Sequence, residues 1–178
     1  MRRIATAFFI LLSAAAALGA QGAAGEWVKY TSPEGRYSVR LPKEPTLSTQ
    51  DTTAATGDKL KQHLAQATDS NSLSMIGYFD YTSALSFNFD RARDGMVDAV
   101  KGTLLSERAV SLGGNPGREV KVSAKLPAGP DVLVRARFFN VAGRVYVVQF
   151  MFLKSNDTPA LAEKCEKFFD SFKVETGQ

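Results

Sequence analysis

The sequence predicts an α+β domain, in which helices pack on the faces of an antiparallel β-sheet. Three observations point to this class. Polar and apolar residues alternate along several segments, which is the period of half-buried strands. Residues 145–153 are apolar at almost every position, as in a central strand that is covered on both faces. Residues 161–172 instead carry apolar side chains at the three- and four-residue spacing of an amphipathic helix.

The domain is predicted to begin with a small hairpin. Residues 27–30 form its first strand, with Trp27 as an anchor in the core. Residues 32–35 read Ser-Pro-Glu-Gly and favour a type I turn, because proline suits its second position and glycine its fourth. Alternation over residues 37–41 predicts the second strand. Pro42 ends that strand, since proline has no N–H to donate to a sheet.

The segments after the hairpin are predicted to form a loop, two strands and a helix. Residues 46–58 are polar and are expected to be an exposed loop. Residues 59–68 and 72–81 are predicted strands, and the second has the stronger apolar content. A helix with Asp90 as its cap is then expected to run through Leu104.

The second half is predicted to be a meander of strands. Residues 105–112 form a short strand, and the glycine-rich residues 113–117 turn the chain. Residues 120–126 and 132–138 both place apolar side chains at even positions. These matching phases predict an antiparallel hairpin with one buried face.

The last helix is predicted to start at Pro159, with Asp157 or Thr158 as its cap, and to end near Phe172. Cys165, the only cysteine, lies on the apolar stripe of this helix. We interpret it as a buried structural thiol, because free cysteine packs as a small hydrophobic residue. An exported chain with one cysteine has no internal disulfide.

The N-terminus has the pattern of a secretory signal peptide. Two arginines precede an apolar run over residues 4–12 and a stretch of small residues that ends at Ala20. The run is shorter than the roughly 20 residues that a membrane span needs, so a retained anchor is the less favoured alternative. Gln21 stands where a lipid-anchored precursor would have cysteine. We therefore expect an exported protein, periplasmic or extracellular, with residues 1–20 removed and no transmembrane anchor left.

Residues 21–178 are expected to form a single domain, because their number suits one hydrophobic core. Without the signal peptide they contain 20 basic and 18 acidic residues, which gives a net charge of +2. This near balance predicts no nucleic-acid partner, since such binding needs a clear basic footprint.

Residues that carry metal or nucleophilic chemistry are scarce. His63 is the only histidine and lies about a hundred residues from Cys165, so no local set of metal ligands exists. We interpret His63 as an exposed or packing residue. No G-x-S-x-G turn offers a serine nucleophile. The sequence therefore predicts no enzyme, no metal and no cofactor.

One charged pattern is a candidate functional site, formed by Lys121, Lys125, Arg135 and Arg137. If the two predicted strands pair in the stated phase, these four side chains project from one face. The functional interpretation is a shallow site for an anionic partner, such as a lipid headgroup, a glycan or an acidic protein surface. The alternative is a solvated sheet face, or salt bridges to Glu119 and a nearby helix.

Several short motifs spread over the mature chain resemble a known family. They are an aromatic strand at Trp27 and Tyr30, a glycine turn at residues 34–39, a proline stop at Leu41 and Pro42, and a final F-x-S-F helix at residues 168–172. Residues 117–119 and the strand start at residues 144–146 also match. Together they resemble the PsbP-like superfamily, and especially its small exported bacterial members of unknown role. The resemblance implies an antiparallel sheet sandwiched by helices, an α/β/α sandwich. It also implies a non-enzymatic protein, because no catalytic residues are common to that family.

Two functional hypotheses remain. The first is an exported non-catalytic protein that binds a protein partner or assists an envelope assembly, with an envelope protein or an anionic ligand as the expected partner. It rests on the resemblance and is an analogy at the level of the fold. The alternative is a small-ligand or lipid carrier with a pocket between sheet and helix, lined by residues such as Tyr78, Phe139, Tyr146 and Phe150.

Overall fold

The computed structural model describes residues 27–53, 59–80, 87–126 and 129–175, so the predicted signal peptide lies outside the described residues. Within these ranges the chain forms ten β-strands, two α-helices and one short 3₁₀ helix. In chain order they are β1 (Val28–Ser32), β2 (Tyr37–Leu41), β3 (Thr46–Thr53), β4 (Lys59–Thr68), β5 (Ser72–Asp80), α1 (Phe89–Ala99), β6 (Thr103–Leu112), β7 (Asn115–Lys125), β8 (Asp131–Val141), β9 (Arg144–Leu153), the 3₁₀ helix (Lys154–Asn156), α2 (Pro159–Ser171) and β10 (Lys173–Val174).

The strands form two antiparallel sheets. The large sheet has seven strands in the order β3-β4-β5-β9-β8-β7-β6, and the small sheet has the order β1-β2-β10. Because β9 is the middle strand of seven, it has neighbours on both sides and is buried at nearly every position. The prediction of a central strand over residues 145–153 is therefore confirmed.

The strand β9 separates two hydrophobic clusters, one on each face of the large sheet. On one face Tyr146 and Phe150 pack with β2 and with Phe168 of α2. On the other face Val147 packs in a cluster that includes Met96 of α1. Full burial of such a side chain is worth about 1.5–3 kcal/mol relative to exposure. The antiparallel α+β class is thus confirmed, in a fold that has many strands and few helices.

The predicted loop over residues 46–58 is wrong in its first part, which forms β3. This strand pairs with β4 from Thr46 opposite Gln66 to Thr53 opposite Lys59. It lies at the edge of the sheet and exposes most of its side chains, so it needs no apolar alternation. Its threonines favour extended backbone without it. Residues 54–58 lie outside the described part of the chain.

Both predicted ends of the first helix are wrong. Asn88, and not Asp90, is the N-cap, because its side chain accepts a backbone N–H of the first turn at 3.0 Å. The helix ends at Ala99, and Lys101 then takes a left-handed backbone conformation with φ of 48°. The chain leaves the helix there, so Leu104 belongs to β6.

The predicted hairpin of the second half is confirmed. The strands β7 and β8 pair antiparallel with Val120 opposite Ala136 and Lys121 opposite Arg135. Gly113 and Gly114 form the two-residue turn between β6 and β7, and both have positive φ, which glycine adopts at little cost. The turn is shorter than predicted, since β7 already starts at residue 115.

The last helix also agrees with its prediction. Thr158 is the cap, and its hydroxyl oxygen accepts the backbone N–H of Leu161 at 3.3 Å. Pro159 occupies the first helical position, where its missing N–H costs no hydrogen bond. Over the described ranges, neither helix has the length and apolar character needed to cross a membrane.

Candidate functional site

The four residues of the predicted basic patch lie on one face of β7 and β8, the face on which α2 packs. Arg135 and Arg137 are largely buried there, each with 13% of its side chain exposed. Lys121 pairs with Asp157 at 3.1 Å, and Lys125 is exposed near the end of β7. The four therefore share a face as predicted, but two of them lie beneath a helix.

Glu119 is the centre of an ion cluster under α2, with only 7% of its side chain exposed. It accepts hydrogen bonds from Arg108 at 2.8 Å, from Arg137 at 2.7 Å and from Arg135. Burial alone would raise the pKa of Glu119, but these three guanidinium groups outweigh burial and lower the pKa to about 2. Glu119 is therefore ionised over the whole physiological range.

Glu166 connects this cluster to α2. Arg135 and Arg137 each donate a hydrogen bond to its carboxylate, at 2.6 and 2.8 Å. Both guanidinium groups also lie over the ring of Phe169, with that of Arg137 at 4.4 Å from the ring centroid. These contacts are the salt bridges to Glu119 and to a nearby helix that the sequence left open as an alternative. Binding of an anionic partner at the four basic residues stays a prediction.

A small cavity of about 270 Å³ borders the ion cluster between the sheet and α2. Its charged lining consists of three cations and three anions, paired as Arg108 with Glu119, Lys121 with Asp157, and Arg135 with Glu166. Because each charge already has a partner of opposite sign, a bound ion would have to displace one of these pairs.

The single histidine lies at another end of the sheet, in a stack of side chains. The ring of His63 stacks on Tyr78 with a centroid distance of 4.7 Å, and the guanidinium of Arg144 lies 4.8 Å from the same Tyr78 ring. Arg144 also donates to both carboxylate oxygens of Asp80, at 2.6 and 2.8 Å, and to the backbone oxygen of Glu34. The group fixes the β1–β2 turn to the large sheet, which makes His63 a packing residue, as predicted.

Cys165 is fully buried in α2, as predicted from its apolar stripe. Burial raises the pKa of its thiol to about 12, so the reactive thiolate is nearly absent at neutral pH. Within the described ranges, no three His, Cys, Asp or Glu side chains gather into a group that could hold a metal ion.

The residues proposed to line a carrier pocket lie inside the core. Tyr78, Phe139, Tyr146 and Phe150 are each at most 5% exposed and belong to the cluster between the large sheet and α2. Phe172 stacks on Phe139 and meets Tyr146 edge to face at 5.6 Å. Aromatic rings therefore fill the space in which the carrier hypothesis places a ligand.

A larger groove of about 1110 Å³ runs along the opposite flank of α2. Its walls are formed by the partly buried Trp27, by residues 40–42 at the end of β2, by the β4–β5 turn, and by residues 155–171 of the 3₁₀ helix and α2. Lys164 lines the groove, and its ammonium bonds to Asp69 and to Asn71 Oδ1 and lies 5.8 Å from the Trp27 ring centroid. No single stretch of sequence signals this groove, because its residues come from four separate segments.

A second accessible feature is the outer edge of β6. This ten-residue strand pairs with β7 on one side, and no described residue pairs with its other side. Leu104 and Leu105 are 36% and 51% exposed at its start, where Leu105 forms a β-bulge. The sequence shows two leucines here but not their exposure, since it predicted Leu104 to lie in a helix.

No family model matches the chain, and no curated protein matches it in sequence. Among solved structures, the chain is similar to the cyanobacterial PsbP protein CyanoP of Synechocystis, with a TM-score of 0.57 and 11% identity over 88% of this chain and 98% of that one. Protein PA94 of Pseudomonas aeruginosa, of unknown function, has a TM-score of 0.48 and 10% identity over 86% of this chain and all of its own.

A Bacteroides thetaiotaomicron protein also has a TM-score of 0.48, with 13% identity over 83% of this chain and 48% of its own. Of these three similarities, that to CyanoP has a TM-score above 0.5, and at 11% identity it concerns the fold alone. It agrees with the resemblance found in the sequence motifs. The chain has a PsbP-like fold.

Proposed function

We propose that this is an exported, non-catalytic protein that binds a protein partner of the cell envelope through the outer edge of β6. One observation supports the proposal, namely a ten-residue edge that pairs with no other described residue and has two exposed leucines at its start. A PsbP-like α/β/α sandwich provides a rigid frame for such an edge.

The backbone of β6 can bind an extended segment of another chain. A strand in an antiparallel ladder uses alternate N–H and C=O groups for one neighbour and directs the others to its outer side. Over ten residues this leaves several donors and acceptors for a partner strand, which would extend the sheet beyond its seventh strand.

The side chains of β6 define the chemistry of that partner strand. Leu104 and Leu105 offer an apolar contact at one end, while Arg108 further along is already paired with Glu119. A segment with an aliphatic residue near the leucines would complement this end of the strand. We therefore assign the occupant as an extended segment of a partner protein.

Photo-crosslinking tests the proposal. A photoreactive amino acid is placed at position 105 and, as a matched control, at position 47 on the opposite edge strand, where Leu47 is 61% exposed. Irradiation of cells should attach one discrete partner at position 105 and none at position 47. Mass spectrometry then identifies the crosslinked segment of that partner.

The identified segment is synthesised as a peptide and titrated against the purified protein. We expect binding to the wild type and to Leu47→Lys, and a loss of about tenfold or more in Leu105→Lys, since a lysine on an edge blocks strand addition. Equal affinity of all three proteins, or the same adduct at positions 47 and 105, would refute the assignment of β6.

A further inference from the structure

The groove beside α2 is lined in part by short neutral polar side chains. Its neutral polar lining consists of short hydroxyl and amide side chains, namely Ser70, Asn71, Ser155, Asn156, Thr158 and Ser171. Its charged lining has three cations and three anions, so it carries no net charge. Lys164 pairs with Asp69, and Lys167 pairs with Glu163 at 2.8 Å. The walls, which also contain the apolar Pro42, Ala160 and Leu161, therefore suit an uncharged ligand that has both hydrogen-bonding groups and apolar faces.

Trp27 adds an aromatic surface to these polar walls. Its ring is only partly buried, contacts Phe168 edge to face at 6.2 Å, and borders the groove. An indole ring packs well against the apolar C–H face of a pyranose, while amide and hydroxyl groups bond to the hydroxyl edge of the sugar. A phosphate would need a net positive lining, which this groove lacks.

The polar groups of the groove are held in place before any ligand binds. Asp69 Oδ1 accepts the backbone N–H groups of Asn71 and Ser72 at 3.0 and 2.9 Å, which fixes the β4–β5 turn. Lys164 bonds to Asn71 Oδ1 at 3.0 Å and so orients the Asn71 amide, whose N–H₂ donors point away from that bond. Such pre-arranged donors reduce the entropy cost of binding.

We propose that this groove binds an uncharged oligosaccharide, with a sugar ring against Trp27 beside the Lys164 ammonium and its hydroxyl groups on Asn71 and the neighbouring serines. The volume of about 1110 Å³ exceeds that of a typical small-ligand pocket and has room for several sugar units. The site is separate from the β6 edge and does not depend on the partner proposed there.

Intrinsic fluorescence tests the site directly, because Trp27 is the only tryptophan in the chain. The purified protein is titrated with tetramers of N-acetylglucosamine and of β-1,4-linked glucose. We expect a saturable change in Trp27 emission with at least one of them at concentrations of about 1 mM or below. The two sugars distinguish an N-acetylated from a plain glycan chain. No change with either sugar overturns the proposal.

Two substitutions in α2 provide a matched pair. Ala160 and Ala162 are both exposed, yet Ala160 lines the groove and Ala162 lines the small cavity. Ala160→Arg should weaken sugar binding about tenfold or more, because its side chain fills the groove. Ala162→Arg adds the same charge and should leave binding unchanged. Ala160→Gln serves as a smaller block if the arginine variant folds poorly.

A neutral peptide, Gly-Ser-Asn-Gly-Ser, is titrated in parallel. A response to the peptide without a response to either sugar would assign the groove to polypeptide segments and overturn the proposal. Equal loss of sugar binding in Ala160→Arg and Ala162→Arg would also overturn it, since the groove would then not be the site.

Discussion

The two flanks of α2 border two cavities of different character. On one flank, a cavity of about 270 Å³ is lined by charges that are paired with each other around the buried Glu119. On the other flank, a groove of about 1110 Å³ is lined by Trp27, by six short hydroxyl and amide side chains, and by three cations and three anions. Glu166 and Lys164, two positions apart in one helix, each connect α2 to one of these regions. The paired charges around Glu119 thus mark a structural contact, and the groove with Trp27 and the neutral polar side chains remains open for a ligand.

The comparison follows from the energetics of burial. A charge that leaves water is costly unless partners compensate for it, so the arginines under α2 must be neutralised by Glu119 and Glu166. Short hydroxyl and amide groups at an exposed groove stay hydrated and can exchange water for a ligand at little cost. We therefore expect substitutions on the two flanks to change different properties, stability on one and binding on the other.

The largest effect is expected for Glu119→Gln. This variant removes the central negative charge and leaves the three arginines with the half-exposed Glu166 and, for Arg137, the exposed Asp170 as partners. Loss of one partner in a buried ion cluster should lower the free energy of unfolding by about 3–5 kcal/mol. Urea denaturation measures it, with Glu163→Gln on the exposed side of α2 as a control that should stay close to the wild type. A stability loss below about 1 kcal/mol would contradict a structural role for the cluster.

Low pH should reduce the stability that the ion cluster around Glu119 contributes. The pKa of Glu119 lies near 2 in the folded protein and near 4.3 in the unfolded chain, so the unfolded state binds the proton more readily. Its contribution is fully present above about pH 4.3 and is lost as the pH falls toward 2. Thermal denaturation between pH 5 and 2 should show a steeper loss of stability in the wild type than in Glu119→Gln. Parallel curves for the two proteins would contradict this explanation.

A moderate effect is expected on the groove side for Asp69→Asn. Asp69 receives hydrogen bonds from Lys164 and from the backbone and hydroxyl of Ser72, and the Lys164 contact helps to lower its pKa against the opposing effect of burial. An amide keeps part of this geometry but loses the charge, so we expect the free energy of unfolding to fall by about 1–2 kcal/mol. Differential scanning calorimetry gives the value. A loss of stability as large as that expected for Glu119→Gln would contradict the expectation that only the charged flank of α2 is critical for stability.

The smallest effect on stability is expected for Ala160→Arg and Ala162→Arg. Both sites are exposed, and arginine is nearly as good a helix former as alanine. The free energy of unfolding of each variant should lie within about 0.5 kcal/mol of the wild-type value. Thermal denaturation followed by circular dichroism checks this expectation. Strong destabilisation of either variant would mean that its cavity wall is part of the packed core.

The strands of the large sheet could be predicted where one physical signal dominates. Alternation over residues 132–138 gave the strand and its buried face, and the unbroken apolar run over 145–153 gave the central position of β9. The edge strand β3 was missed, because a strand exposed on both faces has no apolar period. The end of α1 was missed because its last turn depends on the left-handed Lys101.

The candidate site could be predicted only in part. Periodicity placed Lys121, Arg135 and Arg137 on one face, as the structure has them. It could not show that α2 covers that face, because a contact between Arg137 and Glu166 joins residues 29 positions apart. The groove is even harder to predict from the sequence, since Trp27 and Lys164 are far apart in the chain and meet only when it is folded. Contacts between distant segments leave no periodic pattern in the sequence.

The most direct test of the difference between the two flanks is an NMR titration of the isotope-labelled protein with the N-acetylglucosamine tetramer. We expect the indole N–H of Trp27 and the side-chain amide of Asn71 to shift with sugar concentration. The Nε–H signals of Arg135 and Arg137 should stay in place, because the ion cluster holds them beneath α2. Shifts of the arginine signals without a shift of Trp27 would contradict the account and move the binding site to the charged flank.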